Sequence, residues 1–340
     1  MLKRLFVLAA VLGTAAAARA QDLNGAGATF PFPIYSKWFA DYNTATGVKI
    51  NYQSIGSGGG IKQFTAGTVD FGATDAPMSD EDIAKLAGPV FHFPTVLGAV
   101  VVTYNIPGVT GSIKLTGAVV ADIFAGRITK WNDSRITSLN KGVALPGSDI
   151  LVVHRSDGSG TTYIFSDYLS AVSDMWKTAP GKGKELAWPV GLGGKGNEGV
   201  AGLVKQTPGA IGYVELAYAK QNGLPAATLQ NKDGAWVEPS IESVTEAAAA
   251  TAKSLPATTD YRVSIVNAGG KNSYPISSFT WLLVSQNQAD AVKGKKLVDF
   301  LKWYLHSGEQ SAAALLYAPL PAEMIKMLDK QIAAIKVASN

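Results

Sequence analysis

Apolar positions along this chain switch repeatedly between two spacings. Ile34, Trp38, Phe39 and Tyr42 recur at the helical period, which predicts a helix over roughly residues 32–45 with Pro33 in its first turn and Gly47 at its end. Val48, Ile50 and Tyr52 then alternate with Lys49 and Asn51, as on a half-buried strand. Ile55-Gly56-Ser57-Gly58-Gly59-Gly60 is a small-residue turn, after which Ile61, Phe64 and Val69 resume the apolar pattern. Val69-Asp70-Phe71-Gly72-Ala73 predicts a short strand that delivers Thr74-Asp75-Ala76-Pro77 at its carboxyl end. Ser79 and Asp82 have the spacing of a helix cap.

Residues 90–104 form an apolar run too long for an ordinary strand, interrupted by Pro94 and Gly98. An extended segment passing from one domain to another accounts for both features, and residues 277–284 supply a return passage. Between them the pattern predicts helices near 116–125, 161–173, 197–206 and 243–254, and strands near 150–154, 210–214 and 262–266. Residues 179–184 and 191–196 are rich in Gly and Lys and read as solvent loops, and helices near 289–306, 309–317 and 322–336 complete the chain. Strand–helix alternation of this kind predicts an α/β fold with mostly parallel sheet. Two passages imply two lobes: 21–97 with 283–340, and 104–276, joined by crossovers at 98–103 and 277–282.

Composition changes this picture mainly at the N-terminus. Lys3 and Arg4, the apolar run 5–12 and Ala18-Arg19-Ala20 form a secretory signal peptide over residues 1–20, cleaved after Ala20. Its loss lowers the formal charge from +4 to +1 by removing Lys3, Arg4 and Arg19, so the basicity gives no support for nucleic-acid binding. No later window is long and apolar enough to span a membrane, and a soluble, exported protein is expected. The chain has no Cys, which excludes thiol catalysis and thiolate metal sites. Its three histidines (His92, His154 and His306) lack metal-ligand spacing, so neither a metal nor a cofactor is expected. No Walker A motif is present, so any ATPase must be another chain.

The candidate chemistry lies in the Gly/Ser/Thr turns at strand ends, where open α/β sheets bind ligands. Arg155-Ser156-Asp157-Gly158-Ser159-Gly160-Thr161-Thr162 joins an apolar strand to a helix start, and further helix starts follow Thr29-Phe30 and Ser57-Gly58. Three helix N-termini at about half a positive charge each contribute roughly +1.5, and Arg155 adds one more, nearly balanced by Asp75 and a small dianion. Any one of these turns, taken singly, reads equally well as a plain helix cap.

Asp75 is the odd member, because a carboxylate repels an oxyanion unless the ligand brings a proton. Phosphate keeps at least one proton at neutral pH and sulfate does not, so a buried Asp acceptor would select phosphate. A local turn before Pro77 is the alternative role.

Together, residues 25–31, 55–59, 69–77, 157–161, 191–197 and 208–215 resemble, in order and across the mature chain, the motifs of the periplasmic phosphate-binding proteins of bacterial phosphate ABC transporters, the PstS family. The resemblance implies a two-lobed, type II "Venus flytrap" binding protein with two crossover strands. It implies phosphate ligands at Thr29, Phe30, Ser57 and Asp75 from one lobe, and at Arg155, Ser159, Gly160 and Thr161 from the other, with Asp157 orienting Arg155. Two positions depart from the family pattern: Gly58 stands where Ser is common, and His154 where a second Arg can occur. The implied partners are inorganic phosphate and membrane permease subunits served by a separate ATPase chain, with the binding protein acting as a monomer. A non-catalytic role is the leading reading. The alternatives are an exported hydrolase using Ser159 or Ser57 as nucleophile, which lacks a G-x-S-x-G elbow, and the same fold holding sulfate or molybdate.

Overall fold

The computed structural model describes residues 22–109, 111–252 and 260–339, so the expected signal peptide and cleavage site lie outside the described residues. The architecture is α/β, built on an eight-stranded sheet. Across the sheet the strands run Ile50–Ser54, Leu23–Gly27, Phe71–Thr74, Ser277–Ser285, Val90–Tyr104, Ala210–Glu215, Leu151–Arg155 and Leu192–Gly194.

The two long apolar runs are the two central strands. Val90–Tyr104 is a single strand of 15 residues, buried from His92 onward, and Ser277–Ser285 pairs antiparallel with its first part, from Val90 to Ala99. Its second part, Val100–Tyr104, changes partner and pairs antiparallel with Ala210–Glu215. One strand therefore belongs to both halves of the sheet. Parallel pairing is confined to the flanks: Leu23–Gly27 with its neighbours on one side, and Leu151–Arg155 with Ala210–Glu215 and Leu192–Gly194 on the other. The expectation of a mostly parallel sheet thus holds for the flanks and fails at the centre, where each passage runs against its neighbours.

Other differences are local. Residues 262–266 carry no strand despite their apolar content; the segment is bracketed by the left-handed residues Tyr261 and Asn267, and Arg262 bonds to Met78 and Asp80. Residues 191–196 are not a loose loop: Leu192–Gly194 is an edge strand paired with Val153–Arg155. The 179–184 loop is also tied down, by Gly183 N–H to Ser166 Oγ and by Lys182 to Asp167. A small sheet of Lys114–Leu115, Thr228–Gln230 and Trp236–Val237 lay outside the apolar pattern because its strands are two or three residues long. The expected helix near 309–317 is two short 3₁₀ turns.

The first helix, Phe32–Thr46, shows how the core is anchored. It buries Ile34, Tyr35, Trp38, Phe39 and Tyr42 and ends at Gly47 in the left-handed conformation. Trp38 stacks on Tyr304 of helix Ala291–His306 at 5.3 Å and donates its indole N–H to Gly308 O. Burial of its one polar atom is thereby compensated.

Candidate functional site

The strand ends and helix starts singled out in the sequence meet between the two halves of the sheet. Thr29, Phe30, Ser57 and Asp75 come from one half, and Arg155, Ser159, Gly160 and Thr161 from the other, and all eight are buried. The halves touch directly here. Gly58 N–H donates to Gly158 O at 2.7 Å, and a Cβ on Gly58 would stand 3.0 Å from the Gly158 Cα. Gly160 packs against Ser57 and Asp75 so closely that any side chain would displace them. Glycine at 160 is therefore a requirement of close approach across the cleft, while at Gly58 a side chain would be tight but needs only a small shift of Gly158. Beside the junction a cleft of about 430 Å³ opens, with Asp75, Ser79, Tyr163, Lys184, Arg262 and Trp281 in its lining.

Asp75 follows strand Phe71–Thr74 and is only 1% exposed. Thr280 Oγ1 donates to its Oδ1 at 2.8 Å, Ser57 Oγ lies 3.4 Å from its Oδ2, and its own N–H donates to Ser57 Oγ at 3.0 Å. Burial pushes its carboxyl up to about 7, opposed by the hydrogen bond from Thr280, the charge of Arg155 and the hydrogen bond from Ser57. Desolvation wins, leaving a carboxyl poised to hold or accept a proton near neutral pH.

Arg155 ends strand Leu151–Arg155 with its side chain 1% exposed. Asp157 holds it in a fork, Nε to Oδ1 at 2.7 Å and Nη2 to Oδ2 at 2.6 Å, while Nη1 donates to Thr161 Oγ1 at 3.2 Å. Desolvation opposes ionisation of Asp157, but its bonds from Arg155 and from Gly196 N–H together hold its carboxyl below the usual range. Fixing the guanidinium from one edge leaves its charge directed into the junction.

Ser159 caps helix Gly160–Val172, its Oγ accepting from Thr162 N–H at 3.0 Å. Its own N–H donates to Lys184 O, so its hydroxyl hydrogen is what remains for a ligand. Gly160 and Thr161 are the first helical residues, whose N–H groups have no intrahelical partner. The plain cap reading of Ser159 is therefore correct as far as it goes, and the cap faces the junction.

Apolar-pattern reasoning missed Asn197. It lies at the start of helix Gly196–Gln206, is fully buried, and makes hydrogen bonds to Thr29 and Thr161 from opposite sides of the cleft. Its place in the Gly-rich segment 191–197 was the available signal. Glu215, Tyr218 and Tyr317 were missed as well. Tyr218 and Tyr317 donate to the carbonyls of Thr29 and Phe30, fixing the turn that carries them. Burial holds the Glu215 carboxyl well above the usual carboxylate range, and its Oε2 accepts from Ala217 N–H and Tyr317.

His154 stacks flat on Trp188 at 4.7 Å, and its ring nitrogen meets Arg155 O. Neither Ser57 nor Ser159 hydrogen bonds to a histidine among the described residues. His92 is buried, and burial lowers it to about 4; its neutral Nε2 accepts from Met78 N–H, away from both serines.

A family model described as a PBP superfamily domain matches residues 13–307. The chain is 49% identical over 308 residues to the phosphate-binding protein PstS of Xylella fastidiosa (strain Temecula1), covering 90% of this chain and 84% of that one. It is 47% identical to the PstS of Pasteurella multocida (strain Pm70), covering 97% and 96% respectively. The chain belongs to the PstS family of phosphate-binding proteins. Its fold is similar to that of a high affinity periplasmic phosphate-binding protein (PfluDING) solved with phosphate, with a TM-score of 0.73, 22% identity, and coverage of 91% and 93% of the two chains. The two-lobed binding-protein architecture is the one this family shares.

Proposed function

We propose that this protein binds inorganic phosphate between its two lobes and delivers it to an ABC permease for import. The observation that carries the reading is the pairing of one buried acceptor with many donors. Asp75 faces the fixed guanidinium of Arg155, the hydroxyls of Thr29, Ser57, Ser159 and Thr161, and the first-turn N–H groups of Gly160 and Thr161. Donors satisfy the charged oxygens of the ligand, and Asp75 takes its remaining proton. Sulfate offers no proton and would face a carboxylate instead.

The lobes in this reading are residues 21–97 with 283–340, and 104–276, with 98–103 and 277–282 as hinges. The central strand Val90–Tyr104 supports it, since it runs through both halves of the sheet without interruption, and Ser277–Ser285 pairs beside its first part. Closure would complete the site, because neither half carries both the acceptor and the guanidinium. The export signal over residues 1–20 supports a periplasmic location, with permease and ATPase as separate chains.

The protein is a carrier and not a hydrolase. Both candidate nucleophiles are engaged in structural hydrogen bonds, and neither has a histidine base. Titrating the mature protein with phosphate and with sulfate, followed by tryptophan fluorescence, tests this alongside a phosphomonoester turnover assay. Phosphate binding without turnover is expected. Turnover abolished by Ser159→Ala would overturn the reading.

A further inference from the structure

We infer that Asn197 is a positioning residue that turns the hydroxyls of Thr29 and Thr161 into obligate donors toward the ligand; the inference rests on the phosphate-binding reading above. A Thr hydroxyl has one hydrogen and two lone pairs, so it chooses its role according to its neighbours. At Thr29 both lone pairs are taken: Oγ1 accepts from Asn197 N–H at 3.2 Å and from Asn197 Nδ2 at 2.7 Å. At Thr161 both are taken again, by Asn197 Nδ2 at 3.0 Å and Arg155 Nη1 at 3.2 Å. One amide group spends its two hydrogens on two hydroxyls from opposite sides of the cleft.

Which end of the amide faces the hydroxyls is set by the backbone behind it. Glu215 N–H donates to Asn197 Oδ1 at 2.9 Å, which assigns the oxygen to that side and the NH₂ to the cleft. The helix start is fixed from the other direction, where Gly196 N–H donates to Asp157 Oδ1 at 3.0 Å. Gly196 has φ 70°, a conformation that disfavours side chains, so the turn presenting Asn197 depends on glycine. Asp157 thus aligns Arg155 and Asn197 together, and both act on Thr161.

The hydrogens of Thr29 and Thr161 have one direction left, into the site. Asn197 touches no ligand oxygen in this scheme. It removes the alternative in which a hydroxyl presents a lone pair to an anion. The same bonds also join the two halves behind the ligand, so closure and hydroxyl orientation occur in one step.

The test is a double-mutant cycle on the mature protein, read by calorimetric titration with inorganic phosphate and by thermal unfolding without ligand. Asn197→Ala is expected to weaken phosphate binding about ten- to a hundredfold, the scale of one or two hydrogen bonds to a charged group. Thr29→Val should cost a similar factor in the wild-type background but less than about threefold in Asn197→Ala, since one lone pair of the hydroxyl is then free and only the longer backbone bond still orients it. Additive losses would show that Asn197 is merely structural and overturn the inference. Should Asn197→Ala fail to fold, Asn197→Asp keeps the shape and the Glu215 bond but accepts the hydroxyl protons. Loss of more than about a hundredfold is then expected, and binding within about threefold of wild type would overturn the inference. If the wild-type protein itself does not bind phosphate, the functional reading falls and this inference with it.

Discussion

Replacing Asp75 by Asn isolates the feature on which ligand choice depends in the proposed reading. The side chain keeps its shape in a site where it is 1% exposed, and an amide oxygen can still accept from Thr280, now 2.8 Å from Oδ1. For phosphate, a charge-assisted hydrogen bond becomes a neutral one, a loss of about 1 kcal/mol or roughly fivefold in affinity. For sulfate the change has the opposite sign. A carboxylate facing an oxyanion is removed and an N–H donor takes its place, worth about 2–4 kcal/mol or roughly 30- to 1,000-fold. The preference for phosphate over sulfate should therefore shrink by about 150- to 5,000-fold, mainly by gain of sulfate binding. Parallel calorimetric titrations with the two anions measure it.

The wild-type protein should show a related pH effect. Burial raises the Asp75 carboxyl from 3.8 to about 7, so across that window the closed site holds a proton that an exposed Asp would release. Below about 7 the neutral carboxyl can donate to sulfate, and above it the carboxylate repels sulfate. Sulfate affinity should rise as pH falls through that value, and the rise should be absent in Asp75→Asn. Equal losses for both anions in the variant, with an unchanged pH profile, would refute the reasoning and leave Asp75 as a structural residue beside Thr280.

Three further outcomes are expected. Gly160→Ala should block closure, because its Cβ meets Ser57 and Asp75; phosphate affinity should fall more than about tenfold while unliganded thermal stability stays near wild type, as read by titration and calorimetry. Arg262→Ala removes a link in which Nη1 bonds to Met78 O at 2.9 Å and Asp80 at 2.7 Å across the cleft mouth. Asp80 is 91% exposed, so the loss should be below about fivefold, screened by salt, and seen as faster phosphate release in stopped-flow fluorescence. Trp38→Ala should cost about 3–5 kcal/mol in denaturant unfolding, since it deletes a fully buried ring stacked on Tyr304 and removes one of the donors to the Gly308 carbonyl. Phosphate affinity of the folded fraction should be little changed, because Trp38 lies in the core of one half.

Local chemistry was enough to place most elements of this fold. The helix from Phe32 to Thr46, the turn at Gly56 to Gly60 and the long runs that became Val90–Tyr104 and Ser277–Ser285 each follow from spacing, because burial on one face or both imposes a pattern on consecutive residues. Each candidate ligand group could likewise be named one at a time, since a hydroxyl or N–H at a helix start is a donor wherever the chain goes. Spacing carries no information about partners distant in sequence. It could not tell that Val90–Tyr104 would change partners partway along, or that Leu192–Gly194 would leave its Gly-rich loop to become an edge strand. Nor could it decide between a cap and a binding site at Ser159, which depends on Asp75 and Ser57 packing against Gly160. The desolvation that lifts Asp75, and the single amide of Asn197 reaching Thr29 and Thr161, exist only once segments more than a hundred residues apart close over one another. Ligand chemistry was therefore written locally, while selectivity and orientation arise from burial, which is a property of the assembled structure.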